Sequence, residues 1–205
     1  MASADEFHDL GGGLYFWQTY EPAVKTDLSC AALRTGDDWF FIDPIPLAAD
    51  ALHELTGNKV RGGAILLTNG NHERAAAAFR DRFALPVLAH AEAAAEFTLA
   101  VDRLVANGDE PFAGISVIAL PGAAAGEVAY LHAASGTLGL GDALIHLDSH
   151  GFGPLPPKYC RDSRGLLKSL AHLRDIHFER MTFAHGTPIL TNAQARLESL
   201  LASLS

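Results

Sequence analysis

The chain has 205 residues, 49% hydrophobic and 19% charged, a composition that suits one folded domain with a substantial core and excludes a disordered chain. Its net charge of −9, with no cluster of Lys or Arg, gives no electrostatic footprint for a phosphate backbone, so nucleic acid is excluded as a partner. No apolar run reaches the roughly 20 residues of a membrane span, and the acidic start Met1–Asp9 lacks the basic and apolar regions of a signal peptide. A cytoplasmic protein without a membrane partner is expected.

Taken in order, Leu14–Tyr20 is aromatic and β-prone and reads as an early strand, whose rings suit core packing better than a pocket rim or a dimer face. Asp27–Arg34 and Trp39–Ile42, joined at Thr35-Gly36-Asp37-Asp38, read as a hairpin ending in Asp43-Pro44. Pro46–Leu55 reads as a helix stopped by Thr56-Gly57-Asn58. A buried strand, Ala64–Thr68, runs into the polar loop Asn69-Gly70-Asn71-His72-Glu73-Arg74, and an Ala-rich helix is expected from about Glu73 to Phe83. Pro86–Ala89 is a short strand, and His90–Phe97 a helix that His90 caps or lines.

Thr98–Phe112 yields no clear element beyond a turn at Asn107-Gly108-Asp109. Strands are expected at Ile115–Leu120, Val128–His132 and Thr137–Leu140, the last leading to Gly141-Asp142. The Gly/Pro-rich stretch His150–Pro157 reads as a pocket lip or a packed connector. Asp162 caps a helix running to about Asp175, with Leu166, Leu167, Leu170 and Leu173 on one face. Met181–Ala184 is the last strand, ending in His185-Gly186-Thr187-Pro188, and Asn192 caps a terminal helix, Ala193–Leu204. Cys30 and Cys160 are too few for a disulfide framework, and Cys160 has no base beside it to activate it.

Thr68-Asn69-Gly70-Asn71-His72-Glu73-Arg74 resembles the Thr-His-x-His-x-Asp-His signature of the metallo-β-lactamase superfamily. Ile42-Asp43-Pro44, Pro121-Gly122-Ala123 with Gly126-Glu127, Gly141-Asp142 and His185-Gly186 resemble its other motifs, in the family's order. The resemblance spans about Leu14 to Leu201 and implies an α/β fold, a four-layer αβ/βα sandwich, as a single domain over residues 1–205. Alternation of strands and helices alone supports only α/β.

In family terms the first metal takes three His, at the positions of Asn69, Asn71 and Ala123, so zinc is not expected there. The second-metal positions hold Glu73, Arg74, Asp142 and His185. Arg74 is never a ligand, repels a divalent cation, and is suited to pair with Asp142 or Glu73, which balances the charge without any ion. His72 has no ligand counterpart in the motif and is expected to be a hydrogen-bonded structural His, or a base or ligand if the loop is rearranged; His146 and His150 are close enough in sequence to enter the pocket from its lip but carry little weight. Asp43 is expected to support the loop by hydrogen bonds.

Two functions follow from the resemblance. The preferred one is a degenerate member of the fold, a pseudoenzyme with no metal cofactor, whose polar cleft of Asn69, Asn71, His72, Glu73, Arg74, Ala123, Asp142 and His185 binds a polar small molecule; a homodimer fits this reading. The alternative is a mononuclear hydrolase of ester, thioester or lactone bonds, with one zinc, manganese or iron on Glu73, Asp142 and His185. A metal-free acid–base enzyme on His72 or His185 with Glu73 carries no specific signature.

Overall fold

In the computed structural model, which describes residues 1–57 and 59–204, the chain builds two mixed sheets face to face. The first begins with the antiparallel strands β1 (His8–Asp9), β2 (Leu14–Glu21), β3 (Thr26–Thr35) and β4 (Asp38–Ile42). Helix α1 (Ala49–Thr56) then crosses to β5 (Gly62–Leu66), α2 (Ala76–Phe83) to β6 (Val87–His90), and α3 (Ala91–Ala94) to β7 (Arg103–Val105), all joining in parallel. Parallel neighbours need such crossovers, which is why helices line the outer face of this sheet.

The second sheet contains β8 (Ile115–Ala119), β9 (Val128–His132) and β10 (Thr137–Leu140). After it come a hairpin, β11 (Leu144–Leu147) with β12 (Gly151–Pro154), then α4 (Ser163–Ala171), β13 (Arg180–Phe183) and α5 (Ala193–Ser203). The order across this sheet is β13-β10-β9-β8, with β13 parallel to β10. Three apolar clusters fill the spaces. Trp17, Trp39, Phe41, Ile65 and Phe79 lie between the first sheet and its helices, Leu33, Phe40, Leu66, Val117 and Tyr130 between the sheets, and Leu138, Leu166, Leu170, Met181 and Leu197 under α4 and α5. The four layers of an αβ/βα sandwich result. Among the described residues no helix is long and apolar enough to cross a membrane.

Several expected boundaries move, each for a physical reason. Pro46–Ala48 is not helical, because Pro46 O accepts from Ala4 N and Ala48 N donates to Ala4 O, tying this stretch to the N-terminus. Gly57 closes α1 at φ 55, while Asn58 of the expected stop lies outside the described residues. The helix expected from Glu73 starts only at Ala76, because Arg74 adopts φ 40, a left-handed conformation no helix continues through. The expected helix after His90 is only α3, with His90 Nδ1 accepting from Glu92 N. Gly151–Pro154 is a strand rather than a loop, and Arg103–Val105 is an edge strand in a stretch that showed no pattern. Asp162 caps α4 through its side chain, whereas Asn192 makes no side-chain cap and instead donates its N–H to Glu179.

A candidate metal centre at the strand ends

The loops leaving β5 of the first sheet and the parallel pair β10 and β13 of the second carry Thr68–Arg74, Gly141-Asp142 and Ala184-His185. Such carboxyl-end loops are where α/β folds place ligands. Buried Asp43, at φ 48, pins the first loop: its Oδ1 accepts from Thr68 N at 2.9 Å and its Oδ2 from Thr68 Oγ1 at 2.5 Å. The chain then turns back, with His72 N donating to Asn69 O at 3.2 Å, and His72 swings inward. Its Nδ1 lies 2.8 Å from Asp43 Oδ2 and 2.9 Å from Thr68 Oγ1.

His72, Asp142 and His185 converge, with ligand atoms all within 4.8 Å of one another. Asp142 Oδ1 is 3.4 Å from His72 Nε2 and 3.3 Å from His185 Nε2. Hydrogen-bond partners assign the tautomers. His72 Nδ1 faces the Asp43 carboxylate and His185 Nδ1 faces the Asp27 carbonyl at 2.9 Å, so both Nδ1 atoms carry hydrogen. Both Nε2 lone pairs therefore point at a carboxylate oxygen. This cluster of acceptors calls for positive charge: Arg74 Nη2 lies 3.4 Å from His185 Nε2, and a proton on His72 or a metal ion would supply the rest. Metal bonds of about 2.0–2.1 Å put neighbouring ligands of a tetrahedral shell about 3.3–3.4 Å apart, close to the two distances from Asp142 Oδ1 to the rings.

A family model described as the metallo-beta-lactamase superfamily matches residues 10–204. The chain belongs to the metallo-β-lactamase superfamily. Among solved structures it resembles DIM-1 metallo-β-lactamase exposed to ceftazidime, at 12% identity over 100% of both chains with a TM-score of 0.77. It also resembles a metallo-β-lactamase family protein from Thermus thermophilus, at 22% identity over 96% of this chain and 80% of the other, with a TM-score of 0.67. A metallo-β-lactamase from Erythrobacter litoralis shares 13% identity over 96% of each chain, with a TM-score of 0.73. These likenesses are of fold. No curated protein matches the chain.

Within this metallo-β-lactamase frame the expected site residues fall into three groups. Asn69, Asn71, His72, Asp142 and His185 are brought together. Asn69 Nδ2 donates to Glu127 Oε2 at 2.7 Å and to Asp142 Oδ2 at 3.2 Å, and Asn71 Nδ2 reaches the same Asp142 oxygen at 3.3 Å. Glu73 is not among them. Both its oxygens are taken by Thr98, from the backbone N and from Oγ1, each at 2.6 Å, so His72 rather than Glu73 faces Asp142 and His185. Ala123 packs in the apolar cluster under α4. Arg74 makes no ion pair with Asp142 or Glu73 among the described residues; its guanidinium donates instead to the carbonyls of Ser29, Asp43 and Ala184.

Glu127 is the site residue that sequence reading missed, although it stands in the Gly126-Glu127 motif. It is buried, and its Oε1 accepts from Ala143 N at 2.9 Å. Gly141 lets it approach, since a Cβ there would run into Thr68 Oγ1 and Glu127 Oε1. Burial, and then the neighbouring Asp142, push Glu127 well above the usual carboxylate range. Burial also raises Asp142, but His72 and His185 outweigh it and hold Asp142 well below that range. The charge is thus favoured on Asp142 over Glu127. Burial, then Asp142 and Glu127, raise the Cys160 thiol, the opposite of activation.

Burial and the Arg74 guanidinium disfavour charged His72, yet Asp43 and Asp142 outweigh them and raise its pKa to about 9. In metal-stripped protein this group therefore stabilises the fold fully below its unfolded value near ~6.5, and the contribution is lost as pH rises through about 9. Urea titrations are expected to show stability falling by roughly 3 kcal/mol between about pH 6 and pH 9.5. A flat profile there would mean that His72 is already neutral in the fold.

Proposed function

We propose that this superfamily member holds one divalent ion, zinc, manganese or iron(II), on His72, Asp142 and His185, and is a hydrolase of an ester, thioester or lactone bond. The observation that supports it is the convergence of two Nε2 atoms on Asp142 Oδ1, with both Nδ1 atoms anchored behind them. Two imidazoles and one carboxylate are a known catalytic donor set for these ions. Asp43 and the Asp27 carbonyl orient the two rings, as outer partners of metal-binding His do. Asn69 and Asn71 occupy Asp142 Oδ2, leaving Oδ1 toward the rings. The ion would supply a bound water of lowered pKa, near ~7 for zinc. Asn71 is exposed and His185 partly so, and a polar substrate would approach from that side.

The residues at the first-metal positions argue against a dinuclear centre. Two amides engaged with Asp142 and a buried methyl group offer no imidazole.

A second reading is favoured by the charges. Arg74 and a protonated His72 face Asp43 and Asp142, a balance that stands without a metal. In that reading the chain is a pseudoenzyme that binds a polar small molecule. Mass spectrometry of protein purified without chelator or His-tag, then challenged with zinc, manganese and iron(II), separates the two. About one ion per chain is expected, followed by turnover of a simple ester or thioester. Metal far below stoichiometry in every challenge would sink the hydrolase and leave the binding protein.

A further inference from the structure

We propose that Arg74 is a built-in competitor for the metal: it donates to the His185 lone pair that an ion needs, so the native site binds divalent ions more weakly than its three ligands alone would. The inference rests on the one-metal reading of the same site. Arg74 Nη2 lies 3.4 Å from His185 Nε2. Because His185 Nδ1 gives its hydrogen to Asp27 O, Nε2 is an acceptor, and a guanidinium is only ever a donor. The contact therefore consumes the electron pair that the metal would take.

The guanidinium is also held in place. Its other contacts go to Ser29 O at 3.0 Å, Asp43 O at 3.4 Å and Ala184 O at 3.2 Å, groups drawn from both halves of the sandwich. Together with the His185 contact, these engage both terminal nitrogens twice, leaving no Nη hydrogen to hold a substrate. The left-handed backbone at Arg74, φ 40, is what turns the side chain beneath the loop instead of along a helix. Carbonyl dipoles satisfy the hydrogens without cancelling the charge. A full positive charge is thus fixed beside the ligand cluster, where partial burial weakens its screening.

Removing that charge should strengthen metal binding, an effect opposite to what loss of a structural side chain produces. The test strips native protein and Arg74→Met, Arg74→Gln and Arg74→Lys with chelator. Zinc affinity is then measured by competition with a chromophoric chelator, and cobalt(II) absorption reports the ligand set. Arg74→Met, of similar length but uncharged, is expected to bind zinc about tenfold or more tightly than native protein, with Arg74→Lys no tighter. Ala184 O keeps Ser29 N as a partner in these variants. Urea unfolding reports whether each is folded, and if Arg74→Met is not, Arg74→Gln is read in its place. A folded neutral variant binding no more tightly than native protein overturns the inference alone. Native protein without metal beside a loaded Arg74→Met supports the inference and overturns the one-metal reading of the native chain. Both empty overturns both.

Discussion

Asp142→Asn is expected to abolish measurable metal binding, lowering affinity by at least about a hundredfold, beyond what loss of an outer-shell partner does. The amide keeps the shape of the carboxylate, and its oxygen still serves Asn69 and Asn71. Its NH2 then donates to His72 Nε2, filling a lone pair that the ion requires, while Arg74 already donates to His185 Nε2. Because those contacts remain satisfied, the fold loses little. Asp142→Ala should behave differently. It strands two amide donors and a charged His72 beside Arg74, and removal of one partner of a buried charge pair costs about 3–5 kcal/mol. Metal content and urea unfolding of the two variants check this together. Asp142→Asn retaining native zinc affinity would remove Asp142 from the ligand set.

Asp43→Asn is expected to weaken metal binding about 10- to 100-fold without touching a ligand. Asp43 accepts from Thr68 N, from Thr68 Oγ1 and from His72 Nδ1. With an amide there, one position becomes a donor, and it faces His72 Nδ1. The ring must then accept at Nδ1 and place its hydrogen on Nε2, pointing at Asp142, so His72 no longer offers a lone pair. Replacing a charged acceptor in this buried cluster should also cost about 2 kcal/mol. Nitrogen chemical shifts of the His72 ring read the tautomer directly, alongside zinc competition. An unchanged tautomer with affinity within about twofold of native would leave Asp43 a purely structural support.

Much of this arrangement is written in the chain. Apolar strands with helices between them specify layers, and the stretches around Asp43, Thr68, Asp142 and His185 mark the strand ends that meet at one rim. The inward position of Asp43 beneath the loop also follows the family pattern. Alternation by itself determined only an α/β fold; the four-layer sandwich followed from the resemblance of the motif stretches to the metallo-β-lactamase superfamily.

The sequence did not determine which side chains of Asn69–Arg74 turn inward. The family motif, with Glu73 at the position of a metal-binding Asp, implies Glu73 as the companion of Asp142, yet Arg74 at φ 40 ends any helix through this stretch and Glu73 faces Thr98. In a tight turn, side-chain direction is set by bonds to distant residues. Thr98 draws Glu73 away, Asp43 draws His72 in, and the carbonyls of Ser29 and Ala184 take the Arg74 guanidinium that was expected to pair with Asp142. Glu127 reaches Asn69 from the other half of the chain, across 58 positions. Such contacts have no spacing rule in the sequence, so which side chains face one another at the site, unlike the fold, was decided only when the two sheets packed.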